Sequence, residues 1–379
     1  MSETRIGIVG DGQLARMLID PLDLSQTPVT AMGPNPEGPA VQVGASHIAS
    51  QDYDDYNNTL LLGRSSDLIT VELDGVNTHA LAELQAQGRE VHPFPEDIAW
   101  IHDKKGQKAF LKSAGLPVPH FVDIPQTGKK NFIHDVWKEV GPGILKKRFG
   151  GLDGRGNFVI ESEEDIERIF ENVKGLLDMP VYYEELVPFT NELAVVTIRD
   201  REGNISSYDA VETVHKNNIC HEVYAPMPGS EDVKVRAEAL GIQVAGLMKG
   251  AGVFTTEMFL TEDGEILINE IAPRVHNSGH HTKESCVTSQ FENHMRAIQG
   301  QEIGSTEMKV EHAVMVNILG ETKSDEVPQG GRREEDGVVI YMYGKTPNID
   351  RKIGDIIAVG NAVGEPLQRA RDARSQIPL

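Results

Sequence analysis

The sequence predicts an α/β domain at the N-terminus followed by a mixed α+β region whose strands are mostly antiparallel. Strand and helix signals alternate up to about residue 97, whereas from about residue 140 strands follow one another across glycine-rich turns, with few helices between them. The second observation is a hairpin signal, "EDGE", joining "GVFTTEMFLT" to "ILINEIA". It delivers two carboxylates, Glu257 and Glu270, on neighbouring strands.

The opening "RIGIVGDGQLARML" reads as an apolar strand, a glycine turn and a helix with Leu14, Met17 and Leu18 on one face. Gly10 and Gly12 permit a tight turn and leave backbone N–H groups at a helix N-terminus, a place suited to an anion. As a dinucleotide fingerprint the stretch fails, because position 15 is Ala and no acidic residue ends a second strand at the required distance. A plain structural turn and a small phosphate contact both stay open. "PVTAMG", "SDLITVEL", "HALAELQAQG" and "EVHPFP" complete a parallel-sheet domain over residues 1–97, ended by the proline-rich "HPFPED".

A helix pair, "IAWIHDKKGQKAFLKSAG", follows and is closed by Gly115 and "LPVP". It opens a second region, residues 98–300, with the strands "GILKKR", "NFVIES", "PVYYEELV", "ELAVVTIRD" and "ISSYDAVETV" and the helices "IERIFENVKGLL" and "VKVRAEALGIQVAGLMKG". Residues 301–379 carry short strands such as "VVIYMYG" and read as a small β-rich domain. No internal repeat is visible.

The chain of 379 residues has 36 basic and 58 acidic side chains, a formal charge of -22. That field repels nucleic acid, so no nucleic-acid partner is expected, and no apolar run approaches the length of a membrane span. A polyanionic small substrate must then be met by local cations or by a metal. Cys220 and Cys286 are too few for a disulfide framework, no leader precedes the first strand, and a reduced cytoplasmic setting is expected.

Alternation along the hairpin sets Glu257 and Glu270 on one face, with Asn269 nearby. Such an oxygen set suits Mg2+, which keeps waters and substrate phosphates in its shell. Zinc on His276, His280 and His281 competes, but that spacing fits neither a helical histidine pair nor a Cys/His site. A second cluster, "ILKKRFGGLDGRGN", runs a lysine-bearing strand into four glycines, whose N–H groups can approach a polyphosphate while Lys146 supplies a point charge. It is not a Walker loop. With Lys104 and the acidic pair Glu184 and Glu185 it forms a more specific combination.

That combination resembles the ATP-grasp superfamily, and within it the 5-(carboxyamino)imidazole ribonucleotide synthetases of purine biosynthesis. The strongest carriers are "DGQLARML", "DKKGQKAFL", "LDGRGNFVI", "PFTNELAV", "VETVHKNNIC", "EMFLTEDGEILINEIAPRVHNSGHHT" and "CVTSQFENHMRAI". "VETVHKNNIC" is most similar to the synthetase half of fungal bifunctional enzymes, and no mutase-like domain is expected after "RSQIPL". The resemblance implies an ATP-grasp fold with a Rossmann-like N-terminal domain, a small C-terminal β-rich domain, ATP and Mg2+ as cofactors, and a homodimer.

By resemblance, Lys104 and Lys146 meet the ATP phosphates, Glu184 the adenine amino group, and Glu192 the ribose hydroxyls, with His215 also on the nucleotide side. Glu257 and Glu270 match the magnesium ligands, with Asn269 between metal and phosphate. Arg274, His276 and Asn277 fall where the family holds bicarbonate and carboxyphosphate. Asp153 and Arg155 match a substrate-facing glycine turn, Lys352 a contact to the ribonucleotide phosphate, and Gln13 and Leu152 lie on the substrate side. The implied chemistry is attack of bicarbonate on the γ-phosphoryl of ATP, then carboxylation of an amine.

Five positions depart from the family's usual residues: Leu152 and His281 where Tyr is usual, Val275 where Pro is, Asp355 where His is, and Asp74 where Glu is more frequent. They concentrate on the acceptor side, which motivates a second reading, a relative acting on a different amine. A non-catalytic nucleotide-binding regulator would show damage at Glu257, Glu270 or Arg274, and none is damaged. A biotin-dependent carboxylase would need a biotinyl-lysine segment, and none occurs.

Overall fold

A computed structural model describes residues 4–150 and 156–377. Asp153, Arg155 and Leu152 lie outside the described residues.

The N-terminal part alternates β1 (Ile6–Val9), α1 (Gln13–Ile19), β2 (Val29–Gly33), α2 (Pro39–Gln42), β3 (Ser46–Ala49), α3 (Tyr56–Ser65), β4 (Leu68–Val71), α4 (Thr78–Ala86) and β5 (Glu90–Val91). The strands form one parallel sheet in the order β3-β2-β1-β4-β5. β1 and β4 are buried along their whole length, as expected of strands covered on both faces. The strand order reverses beside β1, and the crevice at the carboxyl ends of β1 and β4 is the natural ligand position of such a sheet.

Two helices, α5 (Pro95–His102) and α6 (Lys104–Ser113), lead to a four-stranded sheet of β6 (Phe121–Asp123), β7 (Gly143–Lys147), β8 (Asn157–Ile160) and β9 (Val181–Glu185), ordered β6-β9-β7-β8. Its helices α7 (Lys129–Val140) and α8 (Glu163–Asn172) pack their apolar faces, Ile133, Val136, Ile166 and Ile169, against Leu145, Val181 and Tyr183. A capping box of Ser162 and Asp165 starts α8.

The rest is dominated by a ten-stranded antiparallel sheet. Its first strands are β10 (Phe189–Arg199), β11 (Ile205–Ser207), β12 (Val211–Lys216) and β13 (Ile219–Ala225). After α9 (Glu231–Gly246) come β14 (Gly252–Thr261) and β15 (Ile266–Ala272), then α10 (Thr282–Ser285) and α11 (Gln290–Ile298). The chain ends with β16 (His312–Leu319), β17 (Gly331–Glu335), β18 (Val338–Met342), β19 (Lys352–Gly360) and α12 (Gly364–Ser375). The order is β15-β14-β10-β12-β13-β16-β19-β18-β17, with β11 on β10. The sheet therefore runs straight through residue 300, because β13 pairs with β16. The C-terminal helix α12 has little sequence signal: it buries only Pro366 and Ala370.

The strand β15 ends the large sheet, and α6 covers that edge. Gln107 and Lys108 satisfy its outward backbone groups: Lys108 Nζ donates to Ile268 O at 3.0 Å, and Ile271 N–H donates to Gln107 Oε1 at 2.9 Å. The same helix starts at Lys104, so covering the edge also sets a lysine at the cleft between the two antiparallel sheets.

Candidate active site

Glu257 and Glu270 are directly opposite each other in the β14–β15 register. Between Glu257 and Met258 the register slips by one, because Asn269 is an extra residue on β15. Ile266, Ile268 and Ile271 all enter one core cluster, a spacing of two and then three that only a bulge allows. The bulge turns Asn269 and Glu270, neighbours in sequence, toward the same cleft. Strict alternation would have separated them.

The cleft's lysines meet these groups. Lys146, on β7, reaches Glu184 Oε1 of β9 at 2.5 Å and Asn269 Oδ1 at 3.3 Å. Lys104, at the start of α6, is hydrogen-bonded to Glu270. Glu184 is 1% exposed and also faces Lys108 Nζ at 3.0 Å. Burial works to raise the Glu184 pKa, and the charges of Lys108 and Lys146 outweigh it and lower it. Burial likewise pulls Lys108 down to about 8, with Glu184 opposing. Lys108 escaped the sequence reading, although its i, i+4 spacing from Lys104 places both on one helix face.

Also in the cleft, His215 Nδ1 lies 3.1 Å from Glu192 Oε2 and His276 Nε2 lies 3.0 Å from Glu257 Oε1. Burial would raise the Glu257 carboxyl, but the His276 hydrogen bond, with the charges of His215 and Lys104, holds it at about 2. Burial would lower His215, and Glu192 with Glu257 behind it raises it instead. The Lys352 charge also acts on His215, so Lys352 lies on this side of the cleft.

The strip 274–281 is held from behind. Gln290 accepts from His276 N–H at 3.0 Å and donates to His276 O at 2.7 Å. Gly279 makes that approach possible, since a Cβ there would stand 2.7 Å from the Gln290 amide carbon. Ser278 N–H and hydroxyl contact His276 Nδ1 at 3.3 and 2.9 Å, so Nδ1 accepts and Nε2–H is left to donate to Glu257. Arg274 donates to Asp74 Oδ1 at 2.7 Å, and the buried guanidinium is held firmly charged: burial lowers its pKa, and Asp74 more than offsets that. The Asn277 side chain turns inward, exchanging two hydrogen bonds with Asn317 at 3.0 and 2.7 Å.

The three histidines do not converge. His280 is buried beside Asp355, and His281 is buried against Ser285, its pKa pushed by burial to about 3. Among the described residues no group of three or more His, Cys, Asp or Glu side chains is placed to hold a metal. A zinc site is therefore absent from the strip as described. Two cross-strand carboxylates beside an amide oxygen do fit Mg2+, whose remaining ligands are water and phosphate oxygens.

The N-terminal crevice resolves the opening glycines. Gly12 N–H and Ala15 N–H each donate to the Glu72 carboxylate at 2.6 Å. The anion at this helix start is the chain's own side chain, in place of a phosphate. Gly10, at φ +130°, is needed there, since a Cβ would come 2.0 Å from Glu72 Cγ. Gln13 accepts from Lys345 Nζ at 2.7 Å, and the charge of Arg351 reaches Tyr53 in the same crevice. Lys345 is thus a C-terminal cation turned toward Gln13, with the Arg351 charge also felt in the crevice. The cation-rich "GKTPNIDRK" in an acidic chain was the signal for them.

Three family models match the chain: a ribonucleotide synthetase preATP-grasp domain over residues 3–102, an ATP-grasp domain over 109–291, and a phosphoribosylaminoimidazole carboxylase C-terminal domain over 313–369. The N5-carboxyaminoimidazole ribonucleotide synthase of Synechococcus elongatus is 33% identical, with 98% of this chain and 94% of that protein covered. The chain belongs to the N5-carboxyaminoimidazole ribonucleotide synthetase family. A synthetase structure from Aspergillus clavatus, in complex with ADP and 5-aminoimidazole ribonucleotide, superposes with a TM-score of 0.88 at 31% identity, covering 99% of this chain and 100% of that one. The phosphoribosylaminoimidazole carboxylase of Ogataea methanolica is 37% identical, with 96% of this chain and 68% of that enzyme covered. This chain thus spans about two thirds of the length of that fungal enzyme.

Proposed function

We propose that this chain carboxylates the amine of 5-aminoimidazole ribonucleotide with bicarbonate, consuming ATP and releasing N5-carboxyaminoimidazole ribonucleotide, ADP and phosphate. The observation that carries this is the meeting in one cleft of Lys104, Lys146, the Glu257–Glu270 pair and the Arg274–His276 strip. Family membership supplies the substrate class.

In this reading Lys104 and Lys146 exchange their carboxylate partners for the ATP phosphates, and Glu184 and Glu192 face the adenine and ribose. Glu257 and Glu270, with Asn269, would hold Mg2+, which spreads the negative charge of phosphoryl transfer. A bicarbonate oxygen attacks the γ-phosphorus, the bond to ADP breaks, and carboxyphosphate forms. Arg274, permanently charged, stabilises that anion, and His276 offers an N–H fixed in orientation. The amine then attacks the carboxyl carbon and expels phosphate, with Asp153 and Arg155 assigned to this side by resemblance alone. The Lys345 and Arg351 cations, with Gln13, are well placed for the ribonucleotide phosphate.

Burial bears on four of the five departures; Leu152 lies outside the described residues. The side chains of Val275, His281 and Asp355 are each at most 1% exposed, so none is presented to an acceptor. Asp74 keeps a carboxylate on Arg274. These four give no reason to revise the acceptor expected of the family. A homodimer belongs to the same proposal, and sedimentation of the purified chain tests it.

The deciding experiment is ADP release from MgATP and labelled bicarbonate, with and without 5-aminoimidazole ribonucleotide. Stimulation by the ribonucleotide with label in the product is the expected result. Bicarbonate-dependent ADP release that ignores the ribonucleotide would overturn the acceptor assignment.

A further inference from the structure

The strip that carries Arg274 and His276 continues into a 3-10 turn, Asn277–Gly279, flanked by His276 before it and His280 after it. Residues 277 and 280 are i and i+3 of that turn, so their side chains stand above one another on one side. His280 N–H also donates to Asn277 O at 3.1 Å, which makes the turn a single unit. Facing it are two residues of the large sheet, Asn317 on β16 and Asp355 on β19, which are direct cross-strand partners in the register. Their side chains therefore lie side by side on one face.

Asn317 meets Asn277, and Asp355 meets His280, whose Nδ1 also lies 3.2 Å from Tyr343 OH. Asn317 exchanges two amide hydrogen bonds with Asn277 and donates a third to Cys220 O at 2.9 Å. Asp355 Oδ1 lies 3.2 Å from His280 Nδ1 and accepts from Tyr343 OH at 2.6 Å. The acid end is dry: Asp355 is 0% and His280 1% exposed. Among the described residues, Asp355 Oδ2 and His280 Nε2 have no hydrogen-bond partner. A carboxylate buried that deeply with one oxygen unmatched is costly, and a purely packing role would be served better by an apolar side chain.

We propose that Asp355 and Asn317 form a two-point clasp that positions the anion-binding strip, making the C-terminal sheet a positioning element for bicarbonate. Asp355 acts through His280, and Asn317 acts through Asn277. Neither touches the reacting atoms. The clasp explains why a chain with an acid at position 355 retains a well-held strip: the acid takes His280 Nδ1–H, and the histidine relays the hold to the turn. It also gives the inward Asn277 amide a role other than direct contact with the anion. This inference rests on the proposed carboxylation, since it names what the strip is held for.

The geometry leaves one internal choice that can be measured. Asn277 Nδ2 lies 3.4 Å from His280 Nδ1 and could donate to it only if that nitrogen carried no proton. The clasp requires the opposite, a proton on Nδ1 held by Asp355. Nitrogen-15 imidazole spectra of the intact chain, with the His280 signal assigned by its loss in His280→Asn, should show the Nδ1–H tautomer. A His280 carrying its proton on Nε2 alone overturns the clasp, whatever the enzyme's activity.

Kinetics then test positioning against mere packing. In Asp355→Asn and in Asn317→Ala, the KM for bicarbonate in ADP release should rise about tenfold, the loss expected when a hydrogen bond to a charged or buried group is broken. The KM for ATP should stay within about twofold. Asn317→Ala should keep the Nδ1–H signal, because it leaves Asp355 and His280 intact, whereas Asp355→Asn should change it. Lower thermal stability in both variants with an unchanged bicarbonate KM would overturn the proposal and leave a structural pair. Carboxylation of the ribonucleotide by the wild-type chain is read separately, so failure of the proposed function and failure of the clasp are distinct results.

Discussion

Replacing Lys104 with Met should tighten divalent-metal binding to the nucleotide-free protein while weakening ATP. In the structure the Lys104 ammonium is hydrogen-bonded to Glu270, and its charge also acts on Glu257. A metal taking both carboxylates must first displace that ammonium. A charge-assisted hydrogen bond contributes about 1.5–3 kcal/mol. Because the Glu270 side chain is 41% exposed, solvent screening reduces this to about 1–2 kcal/mol. Removing the competitor should therefore tighten the metal by about 5- to 30-fold. Mn2+ standing in for Mg2+, followed by electron paramagnetic resonance, reads the affinity directly. With ADP present, wild-type Lys104 has phosphate to bind, and the advantage of the variant should disappear. A Lys104→Met protein that binds Mn2+ no more tightly than wild type without nucleotide would refute the idea that the two compete for Glu270.

Three further outcomes are expected. Glu270→Gln should lower ADP formation by about 100-fold or more, beyond what loss of an outer-shell partner costs, with the circular dichroism spectrum unchanged. Substantial remaining turnover would remove Glu270 from the metal site. Gly279→Ala should push the Gln290 amide off the His276 backbone, costing about 1–3 kcal/mol in urea unfolding, together with a loss of bicarbonate-dependent turnover. Acid should also destabilise the protein through His294, which is fully buried, contacts Thr70 at 2.9 Å and accepts from Val253 N–H. Burial, with the His92 charge adding, holds His294 at about 3 against an ordinary 6.5, so below 6.5 the unfolded chain binds a proton that the folded chain refuses. Stability is then present above pH 6.5 and lost as pH falls toward 3, by up to about 5 kcal/mol for this one group. Denaturation between pH 4.5 and 7 should show a shallower slope in His294→Gln, and equal slopes would refute the assignment.

Much of the site was legible in particular residues. The alternation of "TTEMFLT" and the "EDGE" turn were enough to pair Glu257 with Glu270, because strand period and turn chemistry are local properties. Asn269 was legible only as a neighbour. Its turn into the cleft depends on a bulge that three isoleucines impose by entering one core. Lys345 was not singled out beside Lys352, because chain order does not say which of several cations in one loop meets Gln13. The helix α12 was missed because its apolar stripe is too thin to register.

Taken alone, the sequence determined the order of parallel and antiparallel regions, the paired carboxylates and the family that these and the motifs imply. Those follow from periodicity, spacing and residue chemistry within short windows. Tertiary structure alone decided who pairs with whom: Glu72 on the N–H groups of α1, Lys104 on Glu270, Arg274 on Asp74, and Asp355 on His280. These partners are 57 to 200 residues apart. Each contact depends on how sheets and helices pack, and burial then sets its strength by removing the water that would otherwise screen it.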